Sequence, residues 1–238
     1  MKDALRQIFQ VGLMPLLPAS SELRNESNKK ELERIFLSTS RMLYLFAVPA
    51  FFLVIVVAEP LVQVWLGGGY TFASRAIQFL LLGNLFSLLI SPQHIILFGI
   101  GKPHFSTLVS AINGFVNIVT ALILVRIIGY YGVLLAVLLS LFLSSILMMY
   151  LFHRATGYSF LKYIQSLPWK LLAIVSGLTG SIWLISLEIT NWRGFFVIVI
   201  AFSIFYIVAL ILLLKEGEKE LIKKIKFSVL SSTNSARG

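Results

Sequence analysis

The chain alternates long apolar runs with short clusters of charged residues. The apolar runs lie at 42–66, 76–98, 105–125, 133–152, 171–187 and 195–214. Each reaches or approaches the roughly 20 residues that an α-helix needs to cross about 30 Å of hydrocarbon. A soluble helical bundle would instead carry a polar face on every helix. The pattern predicts an all-α protein, folded as a polytopic transmembrane helix bundle.

The amino-acid composition supports the same prediction. Of the 238 residues, 58% are hydrophobic and 13% are charged, and the mean hydropathy is +0.91. Soluble domains carry about 25% charged residues, because those groups cover their surface. The net charge of +10 would also suit nucleic acid, but in a membrane protein the basic residues are first assigned to loops. We expect the lipid bilayer as a partner, and no nucleic acid.

Six segments follow from the boundaries of the apolar runs. They are the end of a truncated transmembrane helix at 1–22, a charged cytoplasmic loop at 23–39, a four-helix transmembrane core at 40–153, a cytoplasmic loop at 154–167, two further transmembrane helices at 168–214 and a basic cytoplasmic tail at 215–238. The first segment contains Pro15 and Pro18 and lacks the pattern of a signal peptide. It resembles the end of a helix that begins earlier.

The basic residues are sorted by side. When the predicted helices are joined in order, 15 of the 20 Lys and Arg residues fall on one side, among them Arg41, Lys102 and Arg154. The other side includes Arg75 and Arg126. An excess of Lys and Arg marks the cytoplasmic face. We therefore predict a multi-pass protein of the cytoplasmic membrane with a cytoplasmic C-terminus.

No catalytic or metal-binding signature is present in the sequence. There is no GxSxG, phosphate-binding loop, HExxH or dinucleotide fingerprint. Cysteine is absent, which excludes thiol catalysis and thiolate metal sites, and the three histidines have no nearby acidic partner. No carboxylate lies in the middle of a span, where it would mark a proton or sodium pathway. We predict no enzyme, no cofactor and no metal site.

Polar but uncharged residues form stripes along three predicted helices. The first helix carries Asn84, Ser87, Ser91 and His94. The second carries Ser106, Ser110, Asn113, Asn117 and Thr120. Spacings of three and four place each set on one helix face. The third helix has small residues at intervals of four, which let another helix approach closely: Gly132, Ala136, Ser140 and Ser144.

Two interpretations of the first two stripes stay open. They are either seams between helices, joined by side-chain hydrogen bonds, or the border of a water-filled cavity through which a polar head group passes. A lipid-facing position is disfavoured, since unsatisfied amides in hydrocarbon are unfavourable by several kcal/mol. The candidate cavity-lining residues are Asn84, Ser87, Ser91, His94, Ser110, Asn113, Asn117 and Thr120.

Several short segments, taken in order, carry a family resemblance. They are PLLPAS at 15–20, the charged stretch at 22–34, Arg41, VP at 48–49, AEPL at 58–61, VWLGGGY at 64–70, GIGKP at 99–103, the helix of Asn113 and Asn117, and GYYGV at 129–133. Together they resemble the carboxy-terminal half of the polysaccharide-biosynthesis flippases, which include the Wzx-type O-antigen flippases. These belong to the multidrug/oligosaccharidyl-lipid/polysaccharide (MOP) exporter superfamily. The resemblance runs from about residue 8 to 153.

The resemblance implies one lobe of a MOP/MATE-like transporter. Such a protein moves a lipid-linked sugar substrate across the membrane by alternating access, in a cavity shared by two lobes. The amino-terminal lobe of the family has no counterpart in this sequence, so no substrate-binding residue is transferred from it. The chain is then either a fragment of a longer gene or the partner of a separately encoded N-terminal lobe.

Two other functions remain as alternatives. A drug or cation antiporter of the same superfamily generally needs a membrane-buried carboxylate, which the missing lobe would have to supply. A membrane enzyme of envelope polysaccharide synthesis needs a sizeable outer loop or clustered charges, whereas the predicted outer loops near 67–73, 128–131 and 189–193 are short.

Overall fold

The computed structural model describes residues 29–67, 69–186 and 192–213. Within these ranges all regular secondary structure is helical. The helices are α1 (Lys29–Leu66), α2 (Thr71–Leu89), α3 (Ser91–Gly99), α4 (Pro103–Ile128), α5 (Tyr130–Thr156), α6 (Phe160–Ser166), α7 (Trp169–Ser186) and α8 (Trp192–Leu213). The predicted segments 1–22 and 215–238 lie outside the described residues.

Five helical stretches are long and apolar enough to cross a membrane. They are Lys29–Leu66, Thr71–Gly99, Pro103–Ile128, Tyr130–Thr156 and Trp192–Ala209. This confirms the all-α, polytopic membrane bundle predicted from the hydrophobic pattern. The further span predicted near 168–188 corresponds to α7, whose described apolar part, Leu172–Ser181, is shorter.

Helix α1 lies at the centre of the bundle. It contacts α2 and α3 on one side and α7 and α8 on the other. Its fully buried Phe51 packs in a cluster with Leu81 and Leu88 of α2, while Leu45 packs with Val175 of α7. The Tyr206 hydroxyl of α8 donates a hydrogen bond to the Leu45 carbonyl. Helix α4 lies outside this centre and packs chiefly on α5.

The charged stretch predicted as a loop at 23–39 differs in the structure. Its described part, 29–39, is helical and continues into the first span without a break. At 1.5 Å per residue the 38 residues of α1 extend roughly 57 Å, well beyond the hydrocarbon of a bilayer. Leu32 and Phe36 are buried in an apolar cluster at this end, which explains why the stretch is ordered as helix. The polar residues between them had suggested a loop.

The loop predicted at 154–167 is also partly helical. Helix α5 continues to Thr156, and the short helix α6 follows a left-handed turn at Gly157. Tyr163 of α6 is fully buried against Phe36, with a ring-centroid distance of 5.4 Å. The Arg41 guanidinium donates to the Ser166 carbonyl at 3.2 Å, so α6 is tied to α1 as well.

The structure brings several basic residues of the predicted cytoplasmic side to one end of the bundle. The Lys102 ammonium donates to the Ala155 carbonyl at 2.9 Å, and Lys162 lies 3.8 Å from the Glu33 carboxylate. At the opposite end the Phe72 and Tyr130 rings are in contact, with centroids 3.8 Å apart. The connections therefore alternate between two ends, as the sequence predicted. Which end faces the cytoplasm remains a prediction.

Candidate functional site: a polar groove beside α4

A groove of about 530 Å³ lies between α4, α5 and the second span, which consists of α2 and α3. We call it the polar groove. Five of the eight candidate residues from the sequence line it: Ser87, Ser91, His94, Ser110 and Asn113. Two serines of α5, Ser144 and Ser145, complete its polar lining. The volume lies within the range of roughly 300–1,000 Å³ that small-molecule sites occupy.

The groove lies where the second span is interrupted. Helices α2 and α3 meet at Ile90, and Pro92 occupies the first turn of α3. Proline has no backbone N–H, so it cannot donate to the carbonyl four residues before it, which is that of Leu88. The Ser91 hydroxyl donates to the Ser87 carbonyl at 3.4 Å across the same break. The interruption thus places the polar side chains of Ser87 and Ser91 next to the groove.

His94 is held in the groove wall by α4. Its Nδ1 lies 3.0 Å from the Ser106 hydroxyl, which joins α3 to the first turns of α4. His94 was predicted to lie in the same stripe as Ser91, and both line the groove. The ring is the only ionisable group among the described lining residues.

Two polar atoms of the groove residues have no partner within the described ranges. They are the Asn113 side-chain oxygen on α4 and the Ser144 hydroxyl on α5, and both are buried. Buried polar groups are ordinarily hydrogen-bonded to protein or to ordered water. A water molecule or a polar ligand would satisfy these two atoms only by entering between α4 and α5.

Three candidate residues are placed elsewhere by the structure. Asn117 donates to the Ser140 hydroxyl at 3.0 Å, so it forms a seam between α4 and α5. Asn84 and Thr120 donate to carbonyls of their own helices, Leu80 at 2.7 Å and Val116 at 2.6 Å. None of the three lines the groove. The stripes thus join helices at the level of Asn117 and line the polar groove at the level of Asn113, and passage of a head group along the groove stays a prediction.

Some groove residues were missed by the sequence analysis. Ser144 had been assigned to a helix-packing ridge, and Ser145 and Phe98 had not been singled out. The signal that could have found them is Pro92, which interrupts the second span and opens a gap opposite α5. Phe98 is 53% exposed and gives the groove an apolar wall.

The described lining carries no Asp, Glu, Lys or Arg. In the part of the chain that the structure describes, no three His, Asp or Glu side chains come together as a metal site would require. The groove can therefore offer hydroxyl and amide hydrogen bonds in an apolar surrounding. Such a surface suits an uncharged, hydroxyl-rich ligand.

The long apolar helices define a multi-pass membrane protein. A profile of the family described as "Polysaccharide biosynthesis protein" matches residues 6–75, which include all of α1. This confirms the resemblance to polysaccharide-biosynthesis membrane proteins over that part of the chain. The correspondence to their carboxy-terminal half stays a prediction. The polar groove lies beyond the matched residues, and the resemblance there stays a prediction. No curated protein and no solved structure matches the chain.

Proposed function

We propose that this chain is the carboxy-terminal lobe of a flippase for lipid-linked oligosaccharides. It acts by alternating access, together with an amino-terminal lobe, and the sugar portion of the substrate passes along the polar groove. The observation that carries the proposal is the pair of unpartnered atoms of Asn113 and Ser144 in an uncharged groove inside an apolar bundle. The family match at residues 6–75 supports the substrate class.

The chemistry of the groove suits a sugar. Sugar hydroxyls both donate and accept hydrogen bonds, so they can satisfy the Asn113 oxygen and the Ser144 hydroxyl in turn. The exposed Phe98 ring offers a surface for the apolar face of a sugar ring. A phosphate would need cationic partners, which the described lining lacks. In this proposal the second lobe supplies those cations.

Reconstitution into liposomes tests the transport proposal. The full chain is incorporated alone and together with the amino-terminal lobe of a polysaccharide flippase. The liposomes contain a lipid-linked oligosaccharide with a fluorophore that dithionite quenches from outside. We expect translocation to require both lobes. Absence of translocation with every amino-terminal lobe, or transport of a drug driven by a sodium or proton gradient without any sugar lipid, would contradict the proposal.

A matched pair of variants on α4 tests the groove itself. Asn113→Leu removes the unpartnered side-chain oxygen at similar volume, whereas Thr120→Val removes a hydroxyl that is bonded within its own helix. Loss of a ligand hydrogen bond is worth about 1 kcal/mol, so we expect Asn113→Leu to slow translocation about fivefold. Thr120→Val should transport as the wild type does. Equal rates for Asn113→Leu and wild type would exclude the groove as the sugar path.

A further inference from the structure

A second groove lies at the other side of α5, away from the polar groove. It has a volume of about 410 Å³ and is lined almost entirely by apolar surface. We call it the α5–α6 groove. Its lining residues are Ile146, Met149, Tyr150, His153, Arg154 and Phe160. It contains none of the residues used in the proposed transport path.

The position of the α5–α6 groove along α5 places it at a membrane boundary. Helix α5 has 27 residues and extends roughly 40 Å, about 10 Å more than the hydrocarbon core. Its last turns, which carry Arg154, therefore stand at head-group level. Tyr150 and Phe160 are 59% and 47% exposed there. Aromatic side chains are enriched at this depth.

One cation at the rim of the α5–α6 groove is uncompensated. Arg154 is exposed and makes no hydrogen bond or ion pair within the described ranges. Two other basic residues at the same end are engaged, since Lys162 pairs with Glu33 and Lys102 donates to the Ala155 carbonyl. Neither ring nitrogen of His153 is presented to an anion at the rim, because Nδ1 lies 3.2 Å from the Tyr158 carbonyl and Nε2 is buried.

The walls of the groove below that charge are apolar. The His153 and Phe160 rings meet edge to face, with centroids 5.3 Å apart, and close the upper wall. Tyr150 lies one turn, and Ile146 two turns, before Arg154 along the same face of α5. An open apolar channel with a cation at its head-group end matches a phospholipid in both charge and shape.

We propose that the α5–α6 groove binds one anionic phospholipid. Its phosphate pairs with Arg154, and one acyl chain lies along Ile146, Tyr150 and Phe160. The bidentate geometry of guanidinium suits a phosphate ester better than the single charge of lysine does. The site stands independently of the transport proposal, because none of its residues borders the polar groove.

Lipid-dependent thermal stability of the purified full chain tests this site. Phosphatidylglycerol, phosphatidylcholine and inorganic phosphate are added in turn to the detergent-solubilised protein, and bound lipids are counted by native mass spectrometry. A ligand that binds only the folded state raises the Tm. We expect phosphatidylglycerol to raise it and to remain bound, and phosphatidylcholine and phosphate to do neither. Equal stabilisation by inorganic phosphate would identify a bare anion site and overturn the lipid assignment.

Three variants separate a specific site from general attraction. Arg154→Gln should weaken phosphatidylglycerol binding about fivefold, the effect of one basic residue near an anionic lipid. Lys162→Gln removes the same charge at the same end of the bundle but from an ion pair with Glu33, and should change binding little. If Lys162→Gln weakens binding as much as Arg154→Gln does, the attraction is diffuse and the proposal is wrong.

The third variant keeps all charges. Ile146→Trp fills the lower part of the groove from a side chain that is 52% exposed, so it should fold normally. We expect it to lose the bound phosphatidylglycerol while its Tm in phosphatidylcholine is unchanged. Retention of the lipid by Ile146→Trp would show that the groove is not occupied by an acyl chain. This variant also decides the matter if Arg154→Gln does not fold.

Discussion

The Asn117 side-chain amide donates a hydrogen bond to the Ser140 hydroxyl at 3.0 Å and so joins α4 to α5. One turn along each antiparallel helix, Asn113 and Ser144 occupy the corresponding positions, but neither the Asn113 oxygen nor the Ser144 hydroxyl has a partner in the described ranges. The same polar stripe of α4 therefore joins the two helices at Asn117 and lines the polar groove one turn away, at Asn113.

The seam predicts a measurable coupling between Asn117 and Ser140. Hydrogen bonds between membrane helices average about 0.6 kcal/mol in double-mutant cycles and reach about 1.7. We expect a coupling free energy in that range for Asn117→Ala and Ser140→Ala, measured by unfolding in mixed detergent micelles. The cycle is needed because the Ser140 hydroxyl also lies 3.0 Å from the Val137 carbonyl, an interaction that Ser140→Ala removes too. Strict additivity of the two single changes would argue against the seam.

Two glycines form a matched pair for testing the close contact of α4 and α5. A Cβ added at Gly132 would lie 2.3 Å from the Leu124 carbonyl group, which is backbone and cannot rotate away. A Cβ at Gly114 on α4 would meet nothing within 4 Å. We expect Gly132→Ala to lower the free energy of unfolding by about 1–3 kcal/mol, as overpacking does, and Gly114→Ala to change it by less than about 0.5. Similar effects of the two variants in the same unfolding assay would contradict this packing.

Because the Tyr158 side chain is buried, we expect the folded protein to lose stability at high pH. This residue lies in the connection between α5 and α6, outside the spans. Burial, and secondly the negative charge of Glu33, raises the pKa of the Tyr158 hydroxyl to about 12. The pKa in an unfolded chain is about 10. The stabilising contribution of the neutral phenol is therefore complete below about pH 10 and is lost as the pH rises through about 12.

The measurement is the free energy of unfolding from pH 9 to 12, together with tyrosinate absorbance. Tyr158→Phe should lose less stability over this window than the wild type does. Glu33→Gln should lower the pKa of Tyr158, because it removes the second cause of the shift. Glu31→Gln, an exposed carboxylate on the same turn of α1, is the control and should leave the pKa unchanged. An unaltered titration in Glu33→Gln would contradict the contribution of that charge.

The spans were predictable from the sequence because crossing a bilayer demands length and apolarity that any helix must show locally. The helical state of 29–39 was not predictable from the sequence. It depends on the packing of Phe36 against Phe152 and Tyr163, which lie more than a hundred positions further along the chain. Spacing of three and four placed the polar residues on common faces. It could not tell which level of a face meets a neighbouring helix and which meets a gap.

The polar groove shows the same limit of helical periodicity at the level of single residues. Asn113 and Asn117 are equivalent in sequence, one turn apart on α4, yet only Asn117 finds Ser140. The difference lies in the interruption of the second span at Ile90, which opens space opposite Asn113. Pro92 was the local signal of that break, and its consequence for α4 and α5 is a tertiary effect that periodicity does not contain.

Sidedness can be measured cleanly because the chain has no cysteine. The structure places Lys162 at the end of the bundle rich in Lys and Arg, and Tyr130 at the opposite end beside Phe72. If the basic end is cytoplasmic, an impermeant maleimide added to intact cells should label Tyr130→Cys and Tyr70→Cys but not Lys162→Cys or Lys30→Cys. After permeabilisation all four should react, since all four side chains are exposed. Labelling of positions 30 and 162 from outside would reverse the orientation, and the direction of the proposed sugar transport would then have to be reassigned as well.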